Sequence, residues 1–79
     1  MSDIKADKTI DCSGLSCPLP IAKTNRAIKN MAVGQILELI STDAGTMLDM
    51  QGWAKQTKHE LLLAKDEGAY FRFFIKKTN

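Results

Sequence analysis

Long apolar runs are missing from this chain. No segment approaches the ~18 apolar residues of a membrane span. The first eight residues, Met1 to Lys8, hold no apolar core of a secretory signal. The expected compartment is therefore the cytoplasm, where thiols stay reduced, and no membrane partner is expected. Histidine occurs once and cysteine twice in 79 residues. Two cysteines and one histidine fall short of the four closely spaced ligands of a zinc site, so neither a metal nor a bound cofactor is expected. Charge of one sign is also scarce. A net +2 is too little to imply nucleic acid by itself. No repeat or low-complexity tract is present.

What is there suits one small domain, with 44% hydrophobic and 25% charged residues. A chain this short buries only about 60–65% of its unfolded surface. That allows a two-layer core but no sizeable internal cavity, so chemistry is expected at the surface.

The two prolines of the whole chain stand one residue apart, directly after a cysteine: Cys17-Pro18-Leu19-Pro20. A short β-type segment, Lys8–Asp11, runs into a turn at Ser13-Gly14, and a helical pattern follows from Pro18 to about Met31. Proline is tolerated in a first helical turn because the first N–H groups have no internal partner. Cys17 is thereby expected at or beside a helix N-cap, where the dipole favours negative charge. A dipole worth roughly 0.3–1 kcal/mol raises the thiolate fraction at neutral pH from about 3% to roughly 10–15%. Pro20 stands where a Cys-x-x-Cys motif has its second thiol, which excludes a thioredoxin-type dithiol. On residues alone two readings stand side by side: a thiol that carries a group covalently, or a small hydrophobe packed at a proline-rich helix start.

Asp11 is read as shaping the loop through its backbone N–H groups, Gly14 as supplying conformational freedom, and Leu15 as a hydrophobic anchor. Cys12 shares a strand face with Ile10 and is read as buried. The sharper alternative makes it a resolving thiol for Cys17, which needs Cα atoms within about 7 Å. In the first helix Ile21, Thr24, Ala27 or Ile28, and Met31 form the buried face. Lys23, Arg26, Lys29 and Asn30 fall opposite, either as a solvated surface or, for Lys23 and Arg26 especially, as a docking face for an acidic partner.

Gly34 breaks the helical pattern, and Gln35–Ser41 reads as a central strand. Asp43 looks like a turn or N-cap residue. A late helix, Thr46–Lys58, follows, its middle weakened at Gly52 by about 1 kcal/mol relative to alanine. His59–Lys65 and Tyr70–Lys76 read as strands joined by a turn at Asp66–Ala69. Alternation directs Phe71, Phe73 and Ile75 to the helices and leaves Phe74 on the open sheet face beside Ile36, Ile40 or Leu62. His59 is read as structural, and Trp53 as packing. The order βαβαββ predicts an α/β (α+β) two-layer sandwich, a mixed four-stranded sheet with two helices on one face. The expected division is a loose N-terminus over residues 1–7 and a single domain over 8–79.

Asp11, Gly14-Leu15, Cys17-Pro18 and Pro20 together match the D-x-x-G-L-x-C-P-x-P pattern, and here the chain resembles the TusA/SirA-like sulfur-carrier family over about Lys8 to Lys77. The resemblance implies a relay protein that accepts sulfane sulfur as a covalent persulfide, or a thiosulfate-derived group, on Cys17. It implies a cysteine desulfurase or rhodanese-like donor and a sulfur-acceptor protein, DsrE-like or similar. The settings it implies are transfer-RNA thiolation, molybdenum-cofactor maturation and sulfur oxidation, with nucleic acid involved only indirectly. Such a sulfurtransferase acts as a stoichiometric carrier rather than as an independent catalyst. Two other classes remain at this point: a small RNA-binding module, and a regulatory interaction domain with an unreactive cysteine. In the family a proline often interrupts the second helical region, so a break there is expected; Cys12 departs from the usual pattern.

Overall fold

The computed structural model describes residues 4–16 and 18–79. Six elements follow one another: β1 (Lys8–Cys12), α1 (Leu19–Lys29), β2 (Ile36–Ser41), α2 (Thr46–Thr57), β3 (Glu60–Asp66) and β4 (Phe71–Lys76). The strands form one mixed sheet in the order β1-β2-β4-β3. β1 lies parallel to β2, as a strand–helix–strand crossover requires. β4 lies antiparallel to both β2 and β3. Both helices pack on one face, giving the expected two-layer βαβαββ sandwich.

Alternation places the core. Leu37, Leu39 and Ser41 of β2 and Phe73 and Ile75 of β4 are wholly enclosed, while Ile36, Glu38 and Ile40 point to the other side. Cys12 and half-buried Ile10 join them from β1. The helices contribute Ala27, Ile28, Met50 and Trp53, with Met31 just beyond α1. Thr24, fully buried, donates its hydroxyl to the Pro20 carbonyl at 2.7 Å, so its polar atom is satisfied inside the helix. Trp53 Nε1 donates to Asn25 Oδ1 at 2.6 Å and fastens α2 to α1.

Several elements differ from the sequence reading in informative ways. α1 begins one residue later than expected, with Pro18 as its N-cap, and ends at Lys29 rather than Met31. α2 starts late, at Thr46, as expected, after Asp43 Oδ1 accepts the Gly45 N–H at 3.0 Å. It then runs unbroken through Gly52, because Met50 and Trp53 anchor it on either side of that weak point. A bulge between Leu61 and Leu63 sets two residues of β3 against one of β4. Leu63, not Leu62, is therefore opposite Phe74, and Leu61 and Ala64 both pack toward the helices. Phe74 itself is only 8% exposed, although it faces away from the helices.

A charged cluster occupies that same open face. Arg72 Nε lies 3.2 Å from Glu38 Oε2 and 3.6 Å from Glu67 Oε2. Its Nη2 donates to the Tyr70 hydroxyl at 2.8 Å, and Thr9 Oγ1 donates to Glu38 Oε1 at 3.0 Å. Around Phe74 the open face is thus joined by a polar network. Asp7, in the stretch expected to be loose, is tied to Ile36 by two hydrogen bonds: its N–H donates to the Ile36 carbonyl at 2.7 Å, and its carboxylate accepts the Ile36 N–H at 2.8 Å. Among the described residues no helix is long and apolar enough to cross a membrane.

Candidate functional site

The loop between β1 and α1 is built on few bonds, each from a residue placed for it. Asp11 is the next-to-last residue of β1, and its Oδ1 accepts both the Ser13 N–H at 2.9 Å and the Ser13 hydroxyl at 2.6 Å. These bonds favour the carboxylate and hold the Asp11 pKa below its ordinary value. Gly14 follows at φ +81°, a left-handed conformation that a residue with a Cβ adopts only at a cost. Its N–H donates to Thr42 Oγ1 at 2.8 Å, fixing the loop to the exit of β2. The Leu15 N–H returns to the Cys12 carbonyl at 3.1 Å, and its side chain packs against the core. Asp11, Gly14 and Leu15 thus sit together in one braced turn. Thr42 has no place in the reading of the sequence; a hydroxyl residue just after a strand is the signal that could have drawn attention to it.

The first turn of α1 is shaped by its prolines. Leu19 N–H donates to the Ser16 carbonyl at 2.9 Å and Ala22 N–H to the Pro18 carbonyl at 3.0 Å. Pro20, at the second helical position, is fully buried and needs no N–H partner. Pro18 and Leu19 are exposed, Leu19 at 47%. Among the described residues no side chain caps this end, and its first turn contains no acidic residue. The positive end of the dipole is therefore not neutralised by a carboxylate of its own first turn. Arg26 and Lys29 complement the opposite end. Cys17 lies outside the described residues; in sequence it falls between Ser16 of the braced loop and the N-cap Pro18.

Cys12 is placed differently. Its side chain is 0% exposed, in the core cluster beneath α1. Burial pushes its thiol pKa up, an effect that nearby Lys23 only partly offsets. A thiol held protonated and enclosed is not poised to attack another sulfur. His59 is remote from the loop in role and place. It stacks on Trp53 with ring centroids 5.5 Å apart, its Nδ1 accepts the Thr78 N–H at 3.2 Å, and it lines a groove with Lys29 and Lys77. Lys23 and Arg26 are exposed on α1 and share a second groove with β1. Among the described residues no group of three or more histidine, cysteine, aspartate or glutamate side chains is arranged to hold a metal ion.

The model of the family described as "Sulfurtransferase TusA" matches residues 8–77, the whole braced loop and both layers of the fold. The chain belongs to the TusA family. A curated relative, "Sulfur carrier protein TusA" of Allochromatium vinosum, is 46% identical over 72 residues, covering 91% of this chain and 95% of that one. "Putative sulfur carrier protein YrkI" of Bacillus subtilis is 43% identical over 74 residues, covering 94% and 99% of the two chains. Among solved structures, a SirA-like protein from Desulfitobacterium hafniense superimposes with a TM-score of 0.76 over 91% of this chain and 99% of its own, at 16% identity. That likeness speaks for the fold, and the TusA relatives speak for a sulfur carrier.

Proposed function

We propose that this chain relays sulfane sulfur and that Cys17 is the residue that carries it. The observation that carries the reading is the N-terminus of α1. It is preceded by a braced loop, has Pro18 at its N-cap position with no side-chain cap among the described residues, and is free of acidic residues in its first turn, and Cys17 is next to it in sequence. The field of such a terminus favours an anion, either the attacking thiolate or the persulfide it becomes.

Loading is an exchange that needs no added oxidant. The Cys17 thiolate attacks the outer sulfur of a donor persulfide, the donor S–S bond breaks, and the donor cysteine leaves as a thiolate. Unloading is the same step with the acceptor's thiolate as nucleophile. A cysteine desulfurase or rhodanese-like protein is the donor in this reading, a DsrE-like or similar protein the acceptor, and the reducing cytoplasm the setting. No second catalytic group is required, since pairing two thiols in one cleft supplies proximity. The protein then turns over by shuttling, as a sulfurtransferase that is consumed and regenerated stoichiometrically.

The test is transfer of radiolabelled sulfur from cysteine through a cysteine desulfurase. Wild-type protein and Cys12→Ala are expected to take up label that reductant releases, and Cys17→Ala is expected to take up none. Equal labelling of Cys17→Ala would overturn the assignment.

A further inference from the structure

The groove between β1 and α1 is the surface feature that the relay chemistry leaves unused. It is an open trough of about 330 Å³ whose lining includes Lys8, Ile10, Asp11, Lys23, Arg26 and Asn30. Three cations converge on it, and among the described residues none of the three forms an ion pair; the ion pairs of the fold lie instead around Arg72 and Lys65. The lone carboxylate is already engaged with Ser13. One wall is β1, an edge strand paired only with β2. Such an edge presents unpaired N–H and C=O groups on its outer side and is a template for another strand.

From these features we infer that the trough docks an extended acidic segment of a partner protein, added as a strand to the outer edge of β1. Side chains of a strand project to one face every second residue. A carboxylate at alternate positions of the added strand therefore enters the trough, where Lys8, Lys23 and Arg26 stand, while half-buried Ile10 forms an apolar floor. The intervening side chains fall on the open sheet face beside Thr9. RNA fits this surface less well. The trough has no aromatic side chain on which a base could stack, whereas its edge offers main-chain pairing that only a polypeptide can complete. β1 leads straight into the loop before Cys17, so a segment held here delivers the rest of its protein to that loop. The inference builds on the relay reading for the purpose of docking, but its test does not use the thiol.

The probe is a ten-residue peptide of alternating threonine and glutamate, titrated to millimolar concentration into isotope-labelled protein while amide spectra are recorded. Controls are the threonine–lysine peptide, the threonine–glutamate peptide N-methylated on one edge, and bulk transfer RNA. Shifts confined to β1 and to the Lys23–Asn30 side of α1 are expected, with weaker binding at higher salt. Binding at least tenfold weaker is expected for Lys23→Glu combined with Arg26→Glu, for Lys8→Glu, and for the N-methylated peptide. Each variant is checked for a wild-type melting curve. Three results would overturn the proposal: no saturable shift, equal binding by the charge-reversed variants, or transfer RNA occupying the trough while the peptide does not. Sulfur loading of Cys17 from a small persulfide is measured in the same variants and is expected to be unchanged, so failure of docking and failure of the relay give different results.

Discussion

Replacing Cys17 with alanine leaves Cys12 as the only thiol of the chain, and the rate at which that thiol reacts measures how firmly the core holds it. Cys12 is 0% exposed, and burial raises its pKa, so a reagent must wait for the structure to open. A domain of this size has a stability of at least about 4 kcal/mol at the low end of ordinary values. At about 1.4 kcal/mol per tenfold, that opening cost slows labelling by about a thousandfold relative to the unfolded chain. The assay follows reaction of Cys17→Ala with an aromatic disulfide reagent at pH 8, in buffer and in concentrated urea. A native rate within tenfold of the urea rate would refute the enclosure of Cys12. It would also reopen its candidacy as a resolving thiol.

Three further outcomes follow from particular contacts. Trp53→Phe removes the Nε1–H bond to Asn25 and should cost about 1–2 kcal/mol, a fall of about 5–10 °C in Tm for a domain this small, read by thermal melting. Lys58→Gly relieves the only non-glycine residue at positive φ among those described, at φ +66° beyond α2, and should stabilise the fold by about 0.5–1 kcal/mol in urea melts. His59 has its pKa lowered by burial and then by Lys77, so the folded protein binds fewer protons than the unfolded chain. Its stabilising effect is therefore whole above about pH 6.5 and is lost as pH falls through the lower folded-state value; His59→Gln should flatten that part of the stability–pH curve.

The layers of this fold were legible because its strands alternate cleanly. Phe71-Arg72-Phe73-Phe74-Ile75 and Ile36-Leu37-Glu38-Leu39-Ile40 each have a face defined by polar interruptions, and α1 carries its buried stripe at helical spacing. Leu61-Leu62-Leu63 has no such interruption, so its side chains say nothing about register. Pairing with β4 decides it, and the bulge displaces Leu62 from Phe74. Alternation places Phe74 on the open face but does not say what covers it there, which is why its 8% exposure was not legible. The polar neighbours that form the network on its face come from β1 (Thr9), β2 (Glu38), β4 (Arg72) and the hairpin (Glu67), and only tertiary pairing assembles them. At the loop, Asp11, Gly14 and the prolines stood out because each is the residue type its local backbone demands. Thr42 did not, since its bond to Gly14 spans 28 positions. The same holds for the trough, whose basic wall on α1 was visible as Lys23 and Arg26, while its β1 wall required the strand order.

The most direct test of the central claim is the intact mass of the reduced protein after incubation with cysteine and a cysteine desulfurase, and separately with thiosulfate or tetrathionate, beside Cys17→Ala. The account predicts a one-sulfur increment from the desulfurase that reductant removes, that maps to Cys17, and that is absent from Cys17→Ala. An unchanged mass with every donor, or the same increment on Cys17→Ala, would contradict it.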